Sequence, residues 1–457
     1  MPQKDKKVSE KGKVKAPFQS PKGMHDILPL EEPYWEKLRR DLRAVAEVYN
    51  FRRIDTTLLE TTDLFERSLG ATSDIVEKQM FSFRTKGGDM LVLRPEGTAS
   101  VMRAYIQHGM SHMGTPLKLY YIGPMFRYEQ PQAGRLRQLH QAGFEILGGD
   151  EDAVYDAQIM LACYRFIEST KVKQLMVHIN SIGCKNCRPN YRKKLTDYYT
   201  GRGGNTNKEK LICKDCRRRL ETNPLRLLDC KVSGCIELKK DAPVMLDQLC
   251  SFCKNHFKNV LEYVEELKIP YTLDHALVRG LDYYNRTVFE IFTEGEAPAD
   301  PKAEGALKGV PRKFDFALAG GGRFDYLAEM IGGRPTSAVG GAVGLDRLIE
   351  VMKAFGTAPL RTIEKVFLIH IGDLAKKKSL AIIELLHHEG ITTAETLGKE
   401  SLKAQLRSAD KGGAPMALIF GQKEALEGSI IIRDLRTGAQ ETVPLHKMAG
   451  EVKRRLK

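Results

Sequence analysis

The sequence has no run of about eighteen apolar residues, so no segment reads as a membrane span. Its first sixteen residues hold six lysines and no apolar stretch, which excludes a secretory signal and predicts a disordered basic arm over 1–17. No internal repeat of useful period is present. Cysteine is scarce outside one region: of nine, all but Cys163 lie between 183 and 262. In a large chain without a secretory signal, that clustering argues against a disulfide framework and predicts a reducing, cytoplasmic setting. Positive charge is in excess. A net charge of +14 and a pI near 9.2 point to a polyanionic partner, and 457 residues exceed the usual size of one core, predicting two or three domains.

Periodicity divides the chain further. Trp35, Leu38, Leu42, Val45 and Val48 recur at helical spacing and predict an amphipathic helix from Pro33 to Tyr49. Strands are expected at Met90–Arg94, Leu117–Ile122, Ala276–Phe292, Asp315–Ala319 and Ala338–Val343, with a helix from near Leu345. A Pro/Ala/Gly/charged stretch from Glu294 to Lys313 reads as a mobile loop. After Pro359 the texture becomes alternating: strands at Val366–Ile371, Met416–Phe420 and Ser429–Leu435, helices at Leu374–Glu389 and His446–Leu456. The expected divisions are the arm 1–17, a catalytic domain in two parts (18–182 and 263–356) split by a Cys-rich insertion (183–262), a linker 357–362 and an α/β domain 363–457.

The chemistry is concentrated between Tyr120 and Gly148. Two apolar runs there flank a loop carrying Arg127, Arg135, Arg137, Gln141 and Glu145. The loop reads as built to hold a nucleotide and a polar small molecule together, and Arg127 offers a planar, permanently charged, bidentate donor for a phosphate. Glu129, two residues on along one strand face, is expected to accept from an adenine amine or help hold a metal. In AVGGAVGLDRLI (338–349), a small-residue strand leads into a helix whose first turn carries Arg347, adding the positive end of the helix dipole.

These segments resemble motifs 2 and 3 of the class II aminoacyl-tRNA synthetases. LRPEGT (93–98), HQAGFEILG (140–148), LVRGLDYYNRTVFE (277–290) and ALAGGGRFDYL (317–327) resemble the signatures of the histidyl-tRNA synthetase family, from about Phe18 to the C-terminus. The resemblance implies an α+β fold: an antiparallel sheet with flanking helices, the Cys-rich insertion and a C-terminal α/β anticodon-binding domain. It implies activation of L-histidine to histidyl-adenylate and its transfer to the 3′ end of tRNA(His), with ATP and Mg2+ as substrate, in a homodimer. Histidine is implied to sit among Glu96, Gly97, Thr98, Arg127, Gln141, Glu145, Arg279, Tyr283 and Tyr284, and ATP against Arg127, Glu129, Arg135, Leu139 and Arg347. Arg127, Arg279 and Arg347 are the implied catalytic residues, Arg279 foremost, and Gln130 and Gln132 the implied contacts to the tRNA acceptor end. The alternative is a non-catalytic paralogue: a regulatory subunit of ATP phosphoribosyltransferase or a sensor of uncharged tRNA.

Three positions depart from the family pattern. Leu139 replaces the aromatic that would stack on adenine, Phe324 replaces a tyrosine near the histidine site, and Gln130 stands where an arginine is expected to read an extra guanosine at the tRNA end.

Cys184-x2-Cys187, Cys213-x2-Cys216, Cys230-x4-Cys235 and Cys250-x2-Cys253 supply eight thiols, enough for two tetrahedral Zn2+ sites, with the pairing left open. Reduced thiols left from an ancestral site are the alternative. Cys163, on an apolar helix pattern, is expected in the core. Arg217, Arg218, Arg219, Lys239 and Lys240 suit a module facing the tRNA acceptor arm or a solvated basic face.

Overall fold

The computed structural model describes residues 18–70, 73, 75–129, 136–204, 206–297, 313–357, 366–399 and 401–456. The basic arm 1–17, the tRNA-contact candidates Gln130 and Gln132, the ATP candidate Arg135, most of the loop 294–313 and linker positions 358–362 lie outside them. Two compact units emerge, 1–360 and 361–457.

The first unit is built on an eight-stranded sheet. Its order is Arg52–Arg53, Leu117–Phe126, Gln138–Leu147, Ala338–Gly344, Ala319–Arg323, Asn285–Thr293, Leu175–Ser181, Tyr271–Leu273. The inner six strands pair antiparallel, and the short edge strands add in parallel. One face is covered by the helix Ala153–Ser169, whose Ile159, Met160, Cys163, Phe166 and Ile167 are fully buried. Cys163 is therefore core, and burial raises its thiol pKa. Against this helix pack Glu32–Val48, through Trp35, Leu38 and Leu42, and Ser251–Glu266, through Phe257, Val260 and Val264. No helix among the described residues is long and apolar enough to cross a membrane.

Two strand expectations are corrected. The stretch expected as a strand from Ala276 is irregular up to Tyr284, and the strand begins at Asn285. A strand would send Tyr283 and Tyr284 to opposite faces, whereas both rings are buried with centroids 4.6 Å apart. The strand expected to end at Ala319 instead starts there and includes Gly320, Gly321 and Gly322. Those glycines lie against backbone and Arg279, where a Cβ would collide, so the run reads as a strand end in sequence and forms a central strand in space.

The second unit has a five-stranded sheet, ordered Thr393–Glu395, Val366–His370, Met416–Phe420, Ser429–Asp434, Gln440–Pro444. The first three strands are parallel and the last two join antiparallel. Helices Asp373–His388 and Leu445–Leu456 bury Ile382, Leu386, Met448 and Val452 against Leu368, Leu418, Ile430 and Ile432.

Candidate active site

The antiparallel pair Leu117–Phe126 and Gln138–Leu147 is extended by one hydrogen bond, Arg127 N–H to Arg137 O at 2.9 Å. The chain then leaves the sheet: Glu129 N–H donates to Arg127 O at 2.8 Å, closing a tight turn. Arg127 and Glu129 thus share no strand face, contrary to expectation, yet both line one cavity of about 940 Å³ together with Leu139, Gln141, Arg279 and Arg347. Arg127 Nε donates to Pro95 O at 2.8 Å, and Arg347 donates to Ala317 O at 3.1 Å with its guanidinium over the Phe316 ring. Arg347 stands in the first turn of Leu345–Ala354. Its neighbour Asp346 accepts from His140 N–H at 2.6 Å, joining that helix to the strand bearing Gln141.

Glu96, Thr98, Glu145, Tyr283 and Tyr284 do not line this cavity and form a buried group of their own. Glu96 accepts from Thr98 N–H at 2.7 Å and Ala99 N–H at 2.8 Å, capping the helix Thr98–Gln107, and from the Tyr283 hydroxyl at 3.4 Å. Thr98 Oγ1 donates to Glu145 Oε1 at 2.7 Å. Among the described residues, Glu145 Oε2 and Arg279 Nε are buried with no hydrogen-bond partner. A buried orphan of this kind costs stability unless a ligand completes it. Burial holds the Glu96 carboxyl above its usual pKa and that of Glu145 well above it, the latter pulled down by the Thr98 hydroxyl and pushed up by Glu96.

Arg279 pairs with Glu290, and a Cβ on Gly320 would stand 2.6 Å from its guanidinium. The glycine thus clears the path of the arginine. Phe324 is fully buried with its ring against Tyr283 and Tyr284.

Sequence reasoning missed Glu290 and Tyr121. Tyr121 is cross-strand from Gly143, and a Cβ on Gly97 would stand 2.6 Å from its hydroxyl. Its ring thus occupies space that two glycines leave. The signal was present: alternation along Tyr120-Tyr121 points one ring inward, opposite the glycine of QAGFE.

The eight insertion cysteines separate into two groups, Cys184, Cys187, Cys250, Cys253 and Cys213, Cys216, Cys230, Cys235, each with its sulfurs within 4.8 Å of one another. Tetrahedral thiolates at about 2.3 Å from an ion lie roughly 3.8 Å apart. Cys184 and Cys187 sulfurs are 3.6 Å apart, those of Cys213 and Cys230 3.9 Å. Backbone N–H groups of Asn186, Cys250 and Cys213 point at the sulfurs of Cys184, Cys187 and Cys235. Burial disfavours the Cys184 thiolate, but N–H donors from Asn186 and Cys187 bring its pKa down to about 7. Either group could hold one metal ion. Of the basic residues singled out, Arg219 lines the cavity, Arg218 pairs with Glu77 and Lys239 donates to Leu228 O.

Residues 23–200 and 225–348 match the family model for histidyl-tRNA synthetase, and 365–455 match the anticodon binding domain. The chain belongs to the histidyl-tRNA synthetase family. It is 41% identical over 440 residues to a histidine–tRNA ligase of Dehalococcoides mccartyi, covering 96% of this chain and 100% of that one. Identity to the Desulfitobacterium hafniense histidine–tRNA ligase is 41% over 441 residues, covering 96% and 99%. The crystal structure of apo histidyl-tRNA synthetase from S. aureus is similar with a TM-score of 0.75 and 32% identity, over 95% of this chain and 99% of that one. A Bacillus halodurans protein described as an ATP phosphoribosyltransferase regulatory subunit/histidyl-tRNA synthetase shares the fold, with a TM-score of 0.60, 19% identity and coverage of 88% and 98%. The fold is the mixed α+β class II architecture with a C-terminal anticodon-binding domain.

Proposed function

We propose that the chain activates L-histidine with ATP and transfers the histidyl group to the 3′ end of tRNA(His). The observation that carries the reading is that Arg127, Arg279 and Arg347 line one cavity together with Gln141, which shares its strand with Glu145, the partner of Thr98. A histidine carboxylate oxygen attacks the α-phosphorus, the new P–O bond forms, and the bond to the β-phosphate oxygen breaks to release pyrophosphate. Arg127 and Arg279 stabilise charge on the α-phosphate and Arg347 holds the γ-phosphate, while bound Mg2+ neutralises the polyphosphate.

In the amino-acid pocket the imidazole uses one nitrogen on Glu145 Oε2 and the other on a tyrosine hydroxyl, a two-ended pattern that suits this ring. Glu96 keeps acceptor capacity for the α-ammonium beyond its helix cap, with Gly97, Thr98, Gln141, Tyr283 and Tyr284 shaping the pocket. Glu129 and Leu139 border the adenine, and Arg135 joins the ATP contacts. In the second step the terminal ribose hydroxyl attacks the adenylate carbonyl and AMP leaves. Gln130 and Gln132 contact the acceptor end.

The two cysteine groups take structural zinc. The sulfur spacing supports this, as does the small core that the insertion builds around them, since a module of that size gains from a metal staple. The same reading assigns a homodimer in the cytoplasm.

Histidine-dependent exchange of pyrophosphate into ATP, without tRNA, tests the reading. Equal exchange with another amino acid would refute the specificity. No exchange with any would leave the non-catalytic paralogue.

A further inference from the structure

Both cysteine groups reach the same short segment. Residues 279–284 carry Arg279, Tyr283 and Tyr284 yet form no helix or strand, so no backbone ladder fixes them. Much of their backbone and polar surface is held from the insertion instead. Arg188, directly after Cys187, donates to Ile182 O at 3.2 Å and to Tyr284 O. Arg226, buried in the turn Pro224–Leu227 on the chain between Cys216 and Cys230, donates to Gly280 O. Asn223, on that same stretch, donates to the Asp282 carboxylate at 3.1 Å.

Each anchor is tied to a cysteine knuckle. Cys187 is the N-cap of the helix Arg188–Thr200, which places Arg188 at its first position. Cys213 caps Lys214–Thr222, whose C-terminus delivers Asn223 and Arg226 before the chain returns at Cys230. An ion held by the second group closes this stretch into a loop, and closing a loop removes conformational freedom from what lies between its ends. Guanidinium-to-carbonyl bonds then transmit that order to 279–284, because charge-assisted donors are stronger than neutral ones. Cys213, Cys230 and Arg226 also line the cavity with Arg279.

We propose that Arg188 and Arg226 are positioning residues of the amino-acid site, each tying a metal-closed cysteine knuckle to the backbone of 279–284. Metal occupancy of the insertion then sets how well Arg279, Tyr283 and Tyr284 are placed. This rests on the assignment of histidine to that site.

The test measures KM for histidine and for ATP by pyrophosphate exchange, with metal content and thermal midpoint, in the wild type, Arg188→Ala, Arg226→Ala, Arg226→Lys and Asn223→Ala. For the two arginine-to-alanine variants the expected result is a histidine KM raised roughly tenfold or more, as misplaced groups cost rate and affinity steeply. ATP KM, metal content and thermal midpoint should stay near wild type, and Arg226→Lys should recover part of the loss. Stripping metal from the wild type should raise histidine KM in the same selective way. Unchanged histidine KM in metal-loaded alanine variants, or in stripped wild type, overturns the proposal. So does a rise in both KM values alongside a fallen thermal midpoint, the mark of a merely structural role. If Arg226→Ala does not fold, Asn223→Ala carries the test by the same criteria. A wild type without histidine-dependent exchange overturns the underlying reading, and the proposal with it, before any variant is compared.

Discussion

Gly340 and Glu145 face each other across neighbouring strands, and a Cβ built on Gly340 would overlap Glu145 Oε2, the buried carboxylate oxygen with no partner among the described residues. The strand glycine therefore determines where the carboxylate stands. Gly340→Ala is expected to displace it and lower histidine-dependent exchange by about a hundredfold, the scale of an ångström-level misplacement. Gly450→Ala, where nothing lies within 4 Å of the added atom, serves as the control and should leave exchange unchanged. Comparable activity in the two variants would refute the role given to this contact.

Glu145 also makes a pH prediction. Burial, first, holds its folded-state pKa well above the ordinary carboxylate value of about 4.3. Stability from such a group is fully present below the unfolded pKa and is lost as pH rises through the folded value, because only the unfolded chain then gains from ionising. Glu145→Gln keeps the shape and cannot ionise. Without histidine, its thermal midpoint should gain on that of the wild type as pH rises from 5 to 8. Glu96, raised by burial as well, is present in both proteins and largely cancels. A pH-independent difference would show that Glu145 is ionised in the folded protein throughout.

Arg279→Ala removes a cation preorganised by Glu290 and given room by Gly320. Loss of such a group at a developing charge costs about 3 kcal/mol or more, so kcat for exchange should fall by two orders of magnitude or more. A near-normal kcat would mean that Arg127 with Mg2+ suffices.

Arg323 is fully buried and bridges Asp156 and Asp325, also donating to Ser337 Oγ at 2.9 Å and Asp152 O at 2.9 Å. Its replacement by Met leaves, among the described residues, buried Asp156 with only the His256 ring at 3.4 Å and buried Asp325 with only Arg286 at 3.5 Å as cationic partners, and breaking a buried pair in this way costs roughly 3–5 kcal/mol. Denaturant titration should show that loss, and an unfolding free energy within 1 kcal/mol of wild type, roughly the worth of an exposed pair, would contradict it.

The nested grouping of the cysteines predicts separable metals. Elemental analysis should find about two zinc ions per chain in the wild type and about one in either Cys216→Ser or Cys253→Ser, since a structural site needs four ligands. Loss of both ions from either variant would indicate a single coupled cluster.

Local chemistry was legible where the signal is local. The helix Glu32–Val48 follows from apolar spacing, and the strands Val366–His370 and Met416–Phe420 from apolar runs between punctuated loops. Arg127 and Arg347 stand out through the strand-loop and strand-helix patterns around them, and both line the cavity. The strand expected over Asp315–Ala319 forms instead over Ala319–Arg323, because glycine marks a strand end and a close approach alike, and only the neighbouring strand says which.

The sequence by itself determined the residue types of the site, the presence of eight clustered thiols and the two kinds of sheet texture, because each depends on neighbours a few positions away. Only the tertiary structure decided that Cys184 and Cys187 join Cys250 and Cys253 across the inner group, that Glu290 holds Arg279, that Tyr121 fills the space left by Gly97 and Gly143, and that Gly340 sits over Glu145. Those relations depend on which strands lie side by side and where a long chain crosses back. Strand order is fixed by burial over the whole sheet, and no short window of sequence contains it.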